Sequence, residues 1–139
     1  MVAIRPVQAS DLPAISALDA RLTGSGKPAY WQEMLSPGRH FLLAESEKGA
    51  LAGFIAGEIR AWEFGQPPAG WVFAIQIEPG LRLKGVGTKL FESIVARFKA
   101  EGVTRVRTLV DRKDHLILSF FRAQGMVAGP SLQLDKDLS

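Results

Sequence analysis

Apolar residues recur along this chain with two periods, and the switches between them mark its elements. Residues 2–7 form a short apolar run that predicts a first strand. Ser10 then reads as a helix N-cap, with Asp11 and Pro13 in the first turn, and Leu12, Ile15, Leu18 and Leu22 follow at helical spacing. A glycine-rich loop over 23–28 leads into a short helix over 30–35, stopped by Pro37 and Gly38. Strands are predicted over 40–45 and 51–62, joined by a polar turn at Glu47, Lys48 and Gly49. After a loop over 66–70, the run 71–77 is apolar enough for a central strand. A helix over 88–101 presents Leu90, Phe91, Ile94, Val95 and Phe98 on one face, and Gly102 suits its end. Residues 105–110 alternate as a strand. Residues 116–124 form a last helix closed by Gly125, and 126–128 and 131–134 read as two final short strands.

The order βααβββαβαββ mixes hairpins with one crossover. It predicts a mixed α/β (α+β) fold, a largely antiparallel sheet of about six to seven strands flanked by helices. At 139 residues and 47% hydrophobic content, the chain suits one domain over 1–139 with a single core. With no cysteine, disulfides, cysteine-based zinc sites and cysteine nucleophiles are excluded. The two histidines, His40 and His115, are far apart and form no ligand motif, so no metal site is expected. No apolar run approaches the ~20 residues of a spanning helix, and the first residues do not read as a signal peptide. A soluble, cytoplasmic protein without a membrane partner is expected. The net charge of +3 is dispersed, with no basic run interleaved with aromatics, so no nucleic-acid partner is expected.

The chemistry concentrates after the central strand. Arg82, Leu83, Lys84, Gly85, Val86 and Gly87 fit Arg/Gln-x-x-Gly-x-Gly, and Thr88 opens the helix that follows. Such a turn offers backbone N–H groups where the helix dipole also favours an anion. Glycine lets a phosphate approach the main chain closely. Rival phosphate motifs fit less well. A Walker loop needs Lys where Val86 stands, and a dinucleotide fingerprint needs Gly where Leu90 stands. The segment resembles the acetyl-CoA-binding motif of the GNAT superfamily of N-acetyltransferases, and the element order follows that family over nearly the whole chain. Residues 4–6 with 10–12 look like its opening strand and helix, and 120–126 resemble its late helix.

The resemblance implies acetyl-CoA (coenzyme A) as cofactor and a primary amine, of a small molecule or a protein, as acceptor. It implies that the backbones of Ile75, Gln76 and Ile77 pair with the pantetheine arm and that the turn holds the pyrophosphate. It also exposes a gap. The family's usual general acid, a tyrosine, is replaced by Phe121, and Tyr30 is the only tyrosine. The family's usual asparagine near the start of the late helix is Asp114, which is equally suited to capping that helix. Transferases acting on protein N-termini often carry a glutamate where Leu109 stands. Asp111, Asp114, Glu58 and His115 are the remaining candidates for a base. Residues 23–35, the loop over 62–70 and the chain's end are expected around the acceptor. Trp31, Trp62, Phe64 and Trp71 serve there as an aromatic wall or, alternatively, as core or homodimer contacts. The competing function is an inactive acyl-CoA-binding or partner-binding module on the same fold, motivated by Phe121 and Leu109.

Overall fold

The computed structural model describes residues 1–82 and 84–139. They fall into two compact units, Met1–Leu109 and Val110–Ser139.

In the first unit, β1 (Val2–Pro6), β2 (Arg39–Ser46), β3 (Leu51–Arg60), β4 (Ala69–Ile77) and β5 (Val106–Thr108) form one sheet in chain order. β1 to β4 are antiparallel neighbours. β5 lies parallel to β4, reached through helix α3 (Val86–Ala100). Helices α1 (Leu12–Thr23) and α2 (Pro28–Glu33) precede β2. Side chains alternate across a strand, so the sheet has two cores. Phe41, Leu43, Phe54 and Ala56 pack with Ile15 and Leu18 of α1 and Trp31 of α2. Trp31 stacks on Phe41 at 5.6 Å and meets Phe54 edge-on at 5.0 Å. The opposite face is covered by α3, whose Leu90, Phe91, Ile94 and Phe98 are buried.

Glycine decides how closely α3 approaches. A Cβ at Gly70 would collide with the ring of Phe98, and one at Gly57 would lie 3.2 Å from the same ring and 3.1 Å from Ile94. The two bare positions make a notch for Phe98. α3 ends as its sequence predicts. Gly102 is left-handed (φ +86°), and the N–H groups of Gly102 and Val103 return to the carbonyls of Lys99 (2.9 Å) and Phe98 (3.2 Å).

One polar group lies within the α1–sheet core. Asp19 is fully buried. Its Oδ2 accepts from Trp31 Nε1 at 2.9 Å and faces Lys27 Nζ at 2.6 Å; its Oδ1 accepts from Gln76 Nε2 at 2.9 Å and Thr23 Oγ1 at 3.1 Å. Burial alone would raise this carboxyl. The bonds from Lys27, Gln76, Trp31 and Thr23 outweigh it and hold the group below the usual carboxylate range. The network ties α1, α2, the loop between them and β4 together.

In the second unit, α4 (His115–Ala123) is capped by Asp114, whose Oδ1 accepts from Ile117 N at 3.1 Å. Two expectations are corrected. The sheet has five strands rather than six to seven, because 126–128 and 131–134 adopt no strand. Each piece is very short, Gly129 and Pro130 interrupt them, and Pro130 has no N–H to donate. Val127, Leu132 and Leu134 remain exposed. Ser10 also does not cap α1. It lies in a 3-10 turn over Ala9–Asp11, where Asp11 Oδ2 accepts from Gln8 N at 2.8 Å. The Asp11 carboxylate is held there by Arg5, at 2.8 and 2.9 Å, which a serine hydroxyl cannot match.

Because the Asp19 carboxyl sits below its unfolded value, it stabilises the fold above pH ~4, and that contribution fades as pH falls through the folded pKa. Asp19→Asn is expected to cost about 2 kcal/mol at pH 7, with Lys27 keeping some solvent contact. Urea unfolding of both proteins at pH 7 and pH 3 checks this. The difference should shrink at the lower pH, as the wild-type advantage fades toward the folded pKa; a constant difference would exclude a charge-based role.

Candidate active site

β4 changes register partway along. Gly57 pairs with Val72 and Ala56 with Ala74, so Phe73 is an extra, unpaired residue: a β-bulge. The same point limits β5. Gly70, Trp71 and Val72 pair with Val106, Arg107 and Thr108, and Thr108 Oγ1 donates to Val72 O at 2.7 Å. Beyond Val72, no strand among the described residues pairs with that edge of β4.

Which backbone groups face the open edge follows from antiparallel alternation. Glu78 N donates to Ala52 O at 2.9 Å, so residue 78 points its backbone at β3. Counting back along the register, Gln76 and Ala74 also point at β3, and Ile77 and Ile75 point away from it. A Cβ on Gly53 would lie 2.6 Å from Gln76 O, which agrees with that carbonyl facing β3. Of the three backbones expected to face a cofactor arm, Ile75 and Ile77 therefore offer N–H and C=O to the open side, and Gln76 turns its own toward β3. The Gln76 side chain turns to Asp19. From Phe73 to Ile77 the edge runs about 13 Å.

The edge leads into the basic glycine turn. Arg82 and Lys84 are exposed, and Leu83 lies outside the described residues. Gly85 is left-handed (φ +79°) with no atom near its missing Cβ, so its requirement is backbone conformation rather than space. It is the N-cap of α3, and its carbonyl accepts from Lys89 N at 3.1 Å. Val86, Gly87 and Thr88 form the first turn of α3, at the positive end of its dipole. Val86 and Gly87 are buried. Glu78, just before the turn, is clamped to α1 by both guanidinium nitrogens of Arg21, which hold its carboxyl below the usual range. An open strand edge continuing into a cationic, glycine-capped helix start suits a ligand with a long amide-bearing arm and an anionic end.

The proposed bases divide. Glu58 lies on β3 opposite Trp71, paired with Arg39 at 3.3 Å. In the second unit, Asp114 caps α4, Asp111 Oδ1 accepts from Lys113 N at 2.8 Å, and His115 is the exposed first residue of α4. Both aspartates are thus engaged with their own backbone. Phe121 is buried, with its ring edge-on to Phe120 at 5.2 Å. Leu109 is exposed. Of the proposed aromatic wall, Trp31 is core and is withdrawn from it. Trp71 is partly covered by Arg60, whose guanidinium lies 4.4 Å from the ring centre. Trp62 and Phe64 are exposed, and Tyr30 is partly so. Asp19 and the Phe73 bulge escape the sequence reading. Asp19 had a signal, an acid four residues from Ile15 on the inward stripe of α1. Phe73 had none. No described helix is long and apolar enough to cross a membrane.

Residues 9–126 match the profile of the Acetyltransferase (GNAT) family. Among curated proteins none matches the sequence. Solved structures share the fold at low identity. The aminoglycoside 6'-N-acetyltransferase AAC(6')-Ih from Acinetobacter baumannii is 20% identical with a TM-score of 0.84, covering 100% of both chains. AAC(6')-Iy in complex with CoA is 16% identical with a TM-score of 0.87, covering 100% of this chain and 96% of that one. A transcriptional regulator from Bacillus halodurans C-125 is 16% identical with a TM-score of 0.80, covering 98% and 100%.

The alternation along β4 has a direct readout. In the free protein the amides of Ile75 and Ile77 should exchange with solvent about a hundredfold faster than those of Ala74 and Gln76, and coenzyme A should slow the first pair selectively. Residue-resolved hydrogen exchange by NMR checks this; equal rates at all four positions would exclude an open edge.

Proposed function

The chain belongs to the Acetyltransferase (GNAT) family, and on that premise we propose that it moves an acetyl group from acetyl-CoA to a primary amine by direct attack. The observation that carries this is the open edge of β4, running from the Phe73 bulge into the glycine turn. The residues fit the cofactor of this family. Ile75 and Ile77 would pair with the amides of the pantetheine arm, and Arg82, Lys84 and the first turn of α3 would take the pyrophosphate.

Bound acetyl-CoA supplies an acyl thioester: a C–N bond forms, the C–S bond breaks, the amine loses a proton and the departing sulfur gains one. The chain's part is to hold, orient and manage protons. The bulge turns the β4 backbone at the end of the open edge, where an outward N–H can polarise the reacting carbonyl. Without cysteine the chain has no thiol to carry the acyl group, which favours direct transfer. Glu58 is the proposed base, acting through water. It is held by a side-chain ion pair, whereas Asp111 and Asp114 are engaged in turn and cap bonds. Phe121 offers no proton where the family usually has tyrosine, so we propose that the sulfur is protonated by solvent.

Two experiments test this reading. Arg82→Ala with Lys84→Ala removes exposed charge without touching the core, unlike a change at buried Gly87. The double variant should bind coenzyme A at least about tenfold more weakly, ~1.4 kcal/mol, by calorimetry. Unchanged affinity would remove the turn from the cofactor site. For the protons, Phe121→Tyr should raise kcat several-fold, within the ~10²-fold reach of a general acid, while Glu58→Gln should lower kcat at least about tenfold. A flat response to both overturns the proton path. Coenzyme A binding without turnover of any amine would favour an acyl-CoA-binding module instead.

A further inference from the structure

The rim at the far end of β4 from the glycine turn has an unusual composition. β3 ends at Arg60, and a 3-10 turn over Glu63–Gly65 leads toward β4. The turn is fastened to the sheet by a chain of contacts. Glu63 takes both Nε and Nη2 of Arg60, at 2.8 and 2.7 Å, and Arg60 lies over Trp71, two residues before the bulge. Glu58, across from Trp71, is matched by Arg39. Glu58 and Glu63 therefore each have their own arginine.

The turn also holds two aromatic residues in a costly backbone. Trp62 (φ +62°) and Phe64 (φ +49°) are both left-handed, a region that bulky residues rarely occupy. The turn's own bonds hold them there: Trp62 N to Gln66 O at 2.8 Å, Gly65 N to Trp62 O at 3.1 Å and Gln66 N to Glu63 O at 2.9 Å. Neither aromatic is rewarded by burial. Phe64 is fully exposed, Trp62 largely so, and the bulge residue Phe73 is partly exposed. Backbone strain that presents apolar rings to water on a turn anchored beside the reacting edge is the signature of a ligand surface.

We infer that the acceptor is a monoamine with an aromatic or flat apolar body, bound by Trp62 and Phe64, and not a polycation. This rests on the transferase reading above and adds the acceptor class. A polycationic aminosugar or polyamine would need several unmatched carboxylates to replace its hydration, and among the described residues of this rim Glu58 and Glu63 are each matched by an arginine. A single ammonium group has only to reach the nucleophile's position, while its apolar body is recognised by ring contact.

The test is steady-state kinetics on the full chain with acetyl-CoA and four amines: phenethylamine, tryptamine, kanamycin and spermidine. The two aromatic monoamines should show kcat/KM at least about tenfold above the two polycations. Phe64→Gly and Trp62→Gly should each raise the amine KM several-fold and leave the acetyl-CoA KM unchanged. Both should also raise Tm, because glycine relieves the left-handed strain. A merely structural role for these rings would lower Tm and spare the amine KM, and that result overturns the proposal. Turnover of kanamycin or spermidine equal to or better than the aromatic amines overturns the acceptor class and leaves the transferase standing. Acetyl-CoA binding without turnover of any amine overturns both.

Discussion

A carboxylate sealed from water stays ionised only if its surroundings replace that water in full, and the first unit is organised around one such group. Asp19 draws donors from four directions: Thr23 on its own helix, Lys27 from the loop, Trp31 from α2 and Gln76 from β4. Removing Lys27 takes away the cation that faces it, and removing any other donor leaves the carboxylate one hydrogen bond short in an apolar core. The network therefore makes the position of the α1–α2 loop depend on β4. Lys27, left-handed at φ +47°, keeps its strained backbone at that joint. The strand with the open edge is thereby fixed from its α1 face through Gln76 and at its end through the Arg21–Glu78 clamp.

Fixing β4 on one side frees it on the other. One extra residue, Phe73, shifts the register, and β5 follows β4 for only three residues. An unpaired strand edge is ordinarily a liability for a soluble protein. Here it lies between a cationic turn and an aromatic rim. The two ends of the strand thus carry different chemistry, a cationic glycine turn at one and exposed aromatic rings at the other. The proposed transfer between two substrates would use such a division of labour.

Much of this organisation is legible in the chain. The stripe Leu12, Ile15, Leu18 and Leu22, the run 71–77 and the Gly102 stop give α1, β4 and the end of α3, because each is set by local period or by a backbone only glycine adopts readily. The family follows from the turn over 82–87. What stays hidden depends on long-range register. Whether Gln76 points its backbone at β3 or away is a matter of parity, and the bulge at Phe73 resets it without any local sign. Trp31 belongs to the core because Asp19, twelve residues earlier, gives its indole N–H a partner. The late strands fail because pairing needs a neighbour, which residues 126–134 alone do not specify. The chain's entry to α1 is held by Asp11 rather than by Ser10: its carboxylate accepts from Gln8 N and is paired with Arg5 across the turn.

The notch that seats Phe98 carries a historical consequence. Position 70 is bare and position 98 is large, and each is permitted by the other. Twenty-eight residues apart in the chain, they behave as lock and key within one domain. A lineage that enlarges position 70 must first, or at once, shrink position 98. Enlargement of position 70 alone is blocked, so what position 70 can hold depends on what stands at position 98.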